Sequence, residues 1–173
     1  VSSVYDIEHN DFIESALWKF DANGECLWVE RMDERPWSVL ELGGQCYAGL
    51  GRPRCGWLTL SDSPPFEHHL PPTSFPVMSG VSGRERLLFG QTDGSVVDHK
   101  ATVLSIESGA VEHLSMLSQG FAASTDAGHL SVRNDDGTLQ WESKGDPISA
   151  QDSGFVAEER SLFWVARASE LNG

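Results

Sequence analysis

Leu17-Trp-Lys-Phe-Asp-Ala-Asn-Gly-Glu-Cys-Leu-Trp28 reads as a strand, a tight turn closed by Asn23-Gly24, and a second strand ending on a large aromatic. Asn-Gly between β-prone runs is the strongest short-range hairpin signal, because a type I′ turn asks for positive φ at both central residues. The pattern recurs as Leu130-Ser-Val-Arg-Asn-Asp-Asp-Gly-Thr-Leu-Gln-Trp141. Leu17, Gly24 and Trp28 fall on Leu130, Gly137 and Trp141 at one constant offset. A hairpin that repeats in this way is a module.

Working outward, Val4-Tyr5-Asp6-Ile7 is a short β-prone start, and Glu8 to Asp11 a polar bend. The charged connection Arg31 to Pro36 leads into Trp37 to Leu42, which alternates apolar and polar residues. Gln45 to Leu50 and Gly56 to Leu60 are two further strands, joined by the loop Gly51 to Cys55. Ser61-Asp-Ser-Pro-Pro65 turns the chain into Phe66-Glu-His-His-Leu70, and Pro71 to Pro76 bends it again. Val77 to Val81, Arg86 to Gln91, Ala101 to Ile106 and Val111 to Met116 follow with Asp-Gly and Ser-Gly turns, the cadence of an antiparallel meander. A last pair, Gly154-Phe-Val-Ala and Leu162-Phe-Trp-Val-Ala166, echoes the Phe121 and Leu130 strands at an offset of about 34 residues. No ten-residue window has helical periodicity, although Leu162 to Leu171 could carry a short helix.

Second strands begin after Gly24, around Pro64, after Gly109 and after Gly137. Three or four short strands recurring at roughly 40 residues mark a propeller blade, a small sheet that must stack on its neighbours to bury both faces. The expectation is therefore all-β: one domain over residues 1–173, a small β-propeller of four or five short antiparallel blades. A β-sandwich or incomplete barrel is the alternative.

Phe20-Asp-Ala-Asn-Gly-Glu-Cys-Leu-Trp28 and Arg133-Asn-Asp-Asp-Gly-Thr-Leu-Gln-Trp141 resemble the turn-and-tryptophan motif of pyrroloquinoline-quinone-type propeller repeats. In that family an Asp-x-x-Gly turn precedes a tryptophan that docks against the adjacent blade. His113 stands at the tryptophan position of the third unit, and the Gly-His/Trp-Asp signature of WD-like repeats is absent. The resemblance implies a propeller architecture with Trp28 and Trp141 docked. It implies no cofactor, and none is expected.

The chain has 26 acidic and 12 basic residues, a formal net charge of −14. Such a surface repels nucleic-acid phosphates and anionic lipid and attracts basic proteins. No apolar run approaches the length of a membrane span. Three cysteines, an odd count, favour a reducing compartment and a cytoplasmic location. Because the sequence starts at Val1, removal of a leader and export to a periplasm or the exterior stay open. Cys26, Cys46 and Cys55 read as small buried residues, with a Cys46–Cys55 pair as the exported alternative.

Sites with chemistry are few. His68 and His69 follow Glu67, but adjacent strand residues point to opposite faces, and no third ligand has a recognisable spacing. Asp21, Asn23 and Glu25, like Asn134, Asp135 and Asp136, are explained by turn chemistry. No Gly-x-Ser-x-Gly elbow and no phosphate-cradling glycine loop occurs. These features favour a non-enzymatic, acidic, protein-binding scaffold. One version is a bacterial immunity protein that neutralises a cationic toxin by shielding its active site. The expected contact residues are Trp37, Trp57, Phe66, Glu67, Asp135, Asp136, Glu158 and Glu159. The alternatives are a small hydrolase or lyase whose axial pocket gathers His68, His99, His113 and His129, and a non-catalytic fragment of a larger propeller.

Overall fold

A computed structural model describes residues 1–8, 11–71, 73–144, 154–158 and 161–165. Every regular element among them is a strand, and every pairing is antiparallel. Blade 1 holds β1 (Ser2–Asp6), β2 (Asp11–Phe20) and β3 (Cys26–Met32). Blade 2 holds β4 (Pro36–Leu42), β5 (Gln45–Leu50), β6 (Trp57–Leu60) and β7 (Glu67–His69). Blade 3 holds β8 (Val77–Gly83), β9 (Arg86–Gln91), β10 (Ser95–Asp98) and β11 (Val103–Ile106). Blade 4 holds β12 (Val111–Met116), β13 (Phe121–Thr125), β14 (His129–Arg133) and β15 (Leu139–Lys144). A fifth sheet pairs β16 (Gly154–Glu158) with β17 (Ser161–Val165).

Each sheet is a meander in sequence order. The first strands β4, β8 and β12 lie side by side, and β16 continues the row beside β12. Successive small sheets stacked in this manner are propeller blades, not the two broad sheets of a sandwich. The pair β16–β17 therefore takes the first two positions of its blade. The echo with Phe121 and Leu130, which are second- and third-strand residues, is one strand out of step.

Among the described residues the core is three apolar layers between blades. Leu17 and Met32 of blade 1 meet Ala48, Leu50 and Leu58 of blade 2. Trp57 meets Val77, Leu87, Phe89 and Val97 of blade 3. Leu88 and Val96 meet Val111, Phe121 and Ala123 of blade 4. Strand alternation sends Leu87 and Phe89 one way and Leu88 the other. Both faces of β9 are thus covered, which explains its apolar run without polar interruption.

The repeated hairpin holds bond for bond. Asp21 N–H donates to the Glu25 carbonyl and Gly24 N–H to the Asp21 carbonyl. Asn134, Thr138 and Gly137 repeat both bonds. Lys19 faces Trp28 as Val132 faces Trp141, and each ladder has a bulge at the next position. Blade 3 uses the same turn at Asp98–Thr102, with Ala101 at φ 64° in the glycine place. Gly109 instead belongs to the link between blades 3 and 4. On the corrected register Ser105, not His113, occupies the third tryptophan position.

All three thiols are free. Cys55 is buried as expected, but Cys26 and Cys46 are exposed. No helix among the described residues is long and apolar enough to cross a membrane.

Candidate functional site

Blades 1 and 2 open toward one rim, formed by the turns at 21–25 and 43–44 and the loop at 61–66. Between them lies a cavity of about 430 Å³. Trp28 walls it from blade 1, and Val39 and Leu60 from blade 2. Lys19 and Trp28 are cross-strand partners on β2 and β3, so both reach toward blade 2. Lys19 Nζ crosses the opening to Asp62 Oδ1 at 2.9 Å. The ring of Phe66 closes against Trp28 with centroids 5.0 Å apart. Trp28 Nε1 is buried without a hydrogen-bond partner, a state that costs free energy unless something supplies an acceptor.

Carboxylates ring this opening. Asp21 accepts N–H bonds from Asn23 and Glu25, both at 2.8 Å. The Glu25 amide is the main reason its carboxyl is held below the usual range. Glu41 accepts from Gly44 N–H in the turn that lines the cavity. Glu25, Glu41 and Asp62 are all exposed. The Lys19 ammonium binds Asp62 and also lowers that carboxyl's pKa, through its hydrogen bond first and its charge second. Cys46 places an exposed thiol on the cavity wall.

The expected contact residues scatter. Phe66 sits at this groove, whereas Glu67 lies on the other face of β7, 3.7 Å from His69 Nε2. Trp57 does not face solvent: it is 1% exposed and stacks on Phe89, with centroids 4.9 Å apart. The reason is positional, since β6 is an inner strand covered on both faces, and its largest side chain fills the layer toward blade 3. Trp37 is 38% exposed but stands at the opposite rim. There the Arg35 guanidinium lies 3.9 Å from its ring and 4.0 Å from that of Phe12.

Asp135 and Asp136 serve structure. Asp135 accepts from Arg84 Nη2 at 2.7 Å and Gly120 N–H at 3.1 Å, tying blade 4 to blade 3. Arg84 is the chief cause of its lowered pKa. Asp136 accepts from the Thr138 N–H in its own turn. Glu158 ends β16, its side chain outside the described set, and Glu159 lies outside the described residues.

The four histidines do not converge. His68 Nε2 lies 2.7 Å from the Cys55 carbonyl, and His99 Nδ1 accepts from Leu87 N–H at 3.3 Å. His113 is exposed on β12. His129 is buried between Glu107 and Glu142. Among the described residues no three His, Cys, Asp or Glu side chains gather as a metal site. Of the expected tryptophan docks, Trp28 is seated on blade 2, whereas Trp141 is 50% exposed.

Sequence reasoning missed Lys19, Asp62, Val39 and Leu60. Only the alternation of β2 and the Ser61–Pro65 turn hint at them, because the pairing depends on how two blades stack.

No family model matches this chain, and no curated protein matches it. Among solved structures it is similar to one described as the AfRom2 CNH domain, at 10% sequence identity and a TM-score of 0.58. The match covers 89% of this chain, which spans 57% of the length of that one. The likeness concerns fold, and that domain is propeller-like too.

Proposed function

We propose that this chain is a protein-binding scaffold whose groove between blades 1 and 2 receives a basic segment of another protein, with an apolar side chain seated against Trp28. The observation that carries this reading is the cavity lined by Trp28, Val39 and Leu60 with Asp62 at its mouth, beside turns that carry the exposed Glu25 and Glu41. An aromatic anchor site inside a charged rim is how protein interfaces concentrate their affinity. Electrostatics adds direction. Lys19, Arg31, Arg54, Arg84, Arg86 and Arg133 are ion-paired within the molecule. Unbalanced surface charge is then acidic, and it would steer a cationic partner onto the rim. A cationic toxin held by an immunity protein is one partner of this chemistry.

The test is a labelled lysine- and arginine-rich peptide with one central phenylalanine, titrated against its glutamate-for-lysine analogue. The basic peptide should bind, weaken several-fold at about 0.3 M salt, and lose about tenfold or more with Asp62→Lys. Bound peptide should slow alkylation of Cys46 but not of Cys26, the other exposed thiol. Equal binding of both peptides, or unchanged binding by Asp62→Lys, would overturn the reading.

A further inference from the structure

Lys19 stands where the repeat has valine. Counted back from the turns that begin at Asp21, Asp98 and Asn134, it shares its place with Val96 of blade 3 and Val132 of blade 4. The cross-strand partners agree, since Lys19 faces Trp28, Val96 faces Ser105 and Val132 faces Trp141. Val96 is fully buried in the layer toward blade 4. The position therefore points at the next blade, and the fold asks of it only an apolar side chain. Blade 1 puts an ammonium there instead.

That ammonium crosses the groove. Lys19 lines the cavity with Trp28 and Leu60, and its Nζ ends on Asp62 Oδ1 at 2.9 Å. The Asp62 side chain is fully exposed, that of Lys19 only 38%. The turn that carries Asp62 is held by Ser61 Oγ, which donates to the Ser63 carbonyl at 2.8 Å. Among the described residues Lys19 is the one ion-pair partner of this carboxylate. An exposed pair of this kind parts easily, because water and salt take over both charges. A lysine laid along a cavity wall with its head on a rim carboxylate is also how a cationic side chain from outside would sit.

We infer, on the footing that this groove is the binding site, that Lys19 occupies the seat of the partner's own cationic side chain and is displaced when the partner binds. The ligand at this seat is a lysine or arginine side chain, long enough to lie along the cavity wall and charged at its tip. Displacement exchanges one ion pair for another, so the net gain comes from the apolar contact with Trp28. Selectivity for a cation comes from Asp62. A neutral or acidic segment offers Asp62 nothing and leaves Lys19 in place across the opening.

Titration of the basic peptide with one central phenylalanine against wild type, Lys19→Met, Asp62→Asn and the double variant tests it. Lys19→Met should tighten binding about fivefold, the worth of an exposed ion pair that no longer has to be broken. Lys100→Met, which removes the same charge from an exposed site on blade 3, should change binding by less than about twofold. With Asp62→Asn in place the gain from Lys19→Met should disappear, because the competition is for that carboxylate. Equal gains in both backgrounds, a gain matched by Lys100→Met, or weaker binding by Lys19→Met would overturn the seat while leaving the groove as the binding site. Failure of wild type and Lys19→Met alike to bind the peptide would overturn the groove, and the seat with it.

Discussion

Gly24 and Gly137 occupy one turn position in two hairpins, at φ 86° and 87°, yet their surroundings differ. A Cβ on Gly24 would meet nothing within 4 Å, whereas one on Gly137 would come within 1.9 Å of the Leu104 carbonyl oxygen on β11. The first glycine is needed only for its backbone angle. The second is also needed so that blade 4 can approach blade 3. Gly24→Ala should therefore cost about 1–2 kcal/mol, the price of a left-handed conformation for a residue with a side chain. Gly137→Ala adds displacement of a neighbouring backbone and should cost about 3 kcal/mol or more. Urea unfolding of the two variants decides it: equal losses would show that the close approach between turn and β11 has no energetic weight. Ala101 fits the same logic, since φ 64° in the glycine place is strain that the Asp98 carboxylate offsets by accepting N–H bonds from Lys100 and Thr102.

At the scale of the strand, β12 carries a bulge in its pairing with β13 between Val111 and His113, which leaves Glu112 without a cross-strand partner. One carboxylate oxygen of Glu112 is buried with no hydrogen bond. Burial raises its pKa most, the nearby Asp126 charge raises it further, and His113 opposes. A carboxyl whose folded-state pKa exceeds its unfolded value stabilises the fold while protonated. That contribution is full below the unfolded pKa and is lost as pH rises through the folded one. Glu112→Gln should thus raise the melting temperature at pH 7, on the order of 2 °C, with the gain fading as the pH is lowered past the carboxyl range. A gain independent of pH would mean that charge is not the cause. The strands show what was readable beforehand. Turns built on Asn-Gly and Asp-Asp-Gly were legible because positive φ selects glycine, and the blade-3 turn was hidden because an alanine takes that place. Glu67 was legible as an exposed residue of a short strand after a proline turn. Trp57 was not, because a four-residue strand gives no sign of whether one face or both are covered. Lys19 and Asp62, 43 residues apart, meet only once two blades stack.

Across the whole molecule, stability is divided among layers that no single residue spans. The Leu17 layer joins blades 1 and 2, the Phe89 layer blades 2 and 3, and the Phe121 layer blades 3 and 4. In such an array the free energy is approximately a sum of units and nearest-neighbour interfaces, so damage at one end need not reach the other. Phe89 is fully buried against Trp57 in the middle layer, and Leu17 is nearly so at the end. Truncating either leaves a cavity, costing about 3–5 kcal/mol for Phe89→Ala and about 2–4 kcal/mol for Leu17→Ala. Their spatial reach should differ more than their size. Loss of the middle layer uncouples the halves of the arc, so Phe89→Ala should speed amide exchange in every blade. Loss of the end layer leaves the layers of blades 2 to 4 intact, so Leu17→Ala should speed exchange in β2 and β3 while β9 and β13 keep their protection. The ion pair between blades 1 and 2 does not blur this contrast, because Lys19 and Asp62 are exposed and screened. The buried Arg133–Glu107 pair lies at the far end of the arc, where Leu17→Ala does not reach it. If Leu17→Ala released all four blades together, the arc would be one cooperative unit. The groove at its end could not then flex without the rest, and partner binding would raise protection throughout the molecule. If release stays local, blade 1 can adjust around a bound segment while blades 2 to 4 hold their shape, and protection gained on binding would be confined to β2, β3 and the facing strands of blade 2.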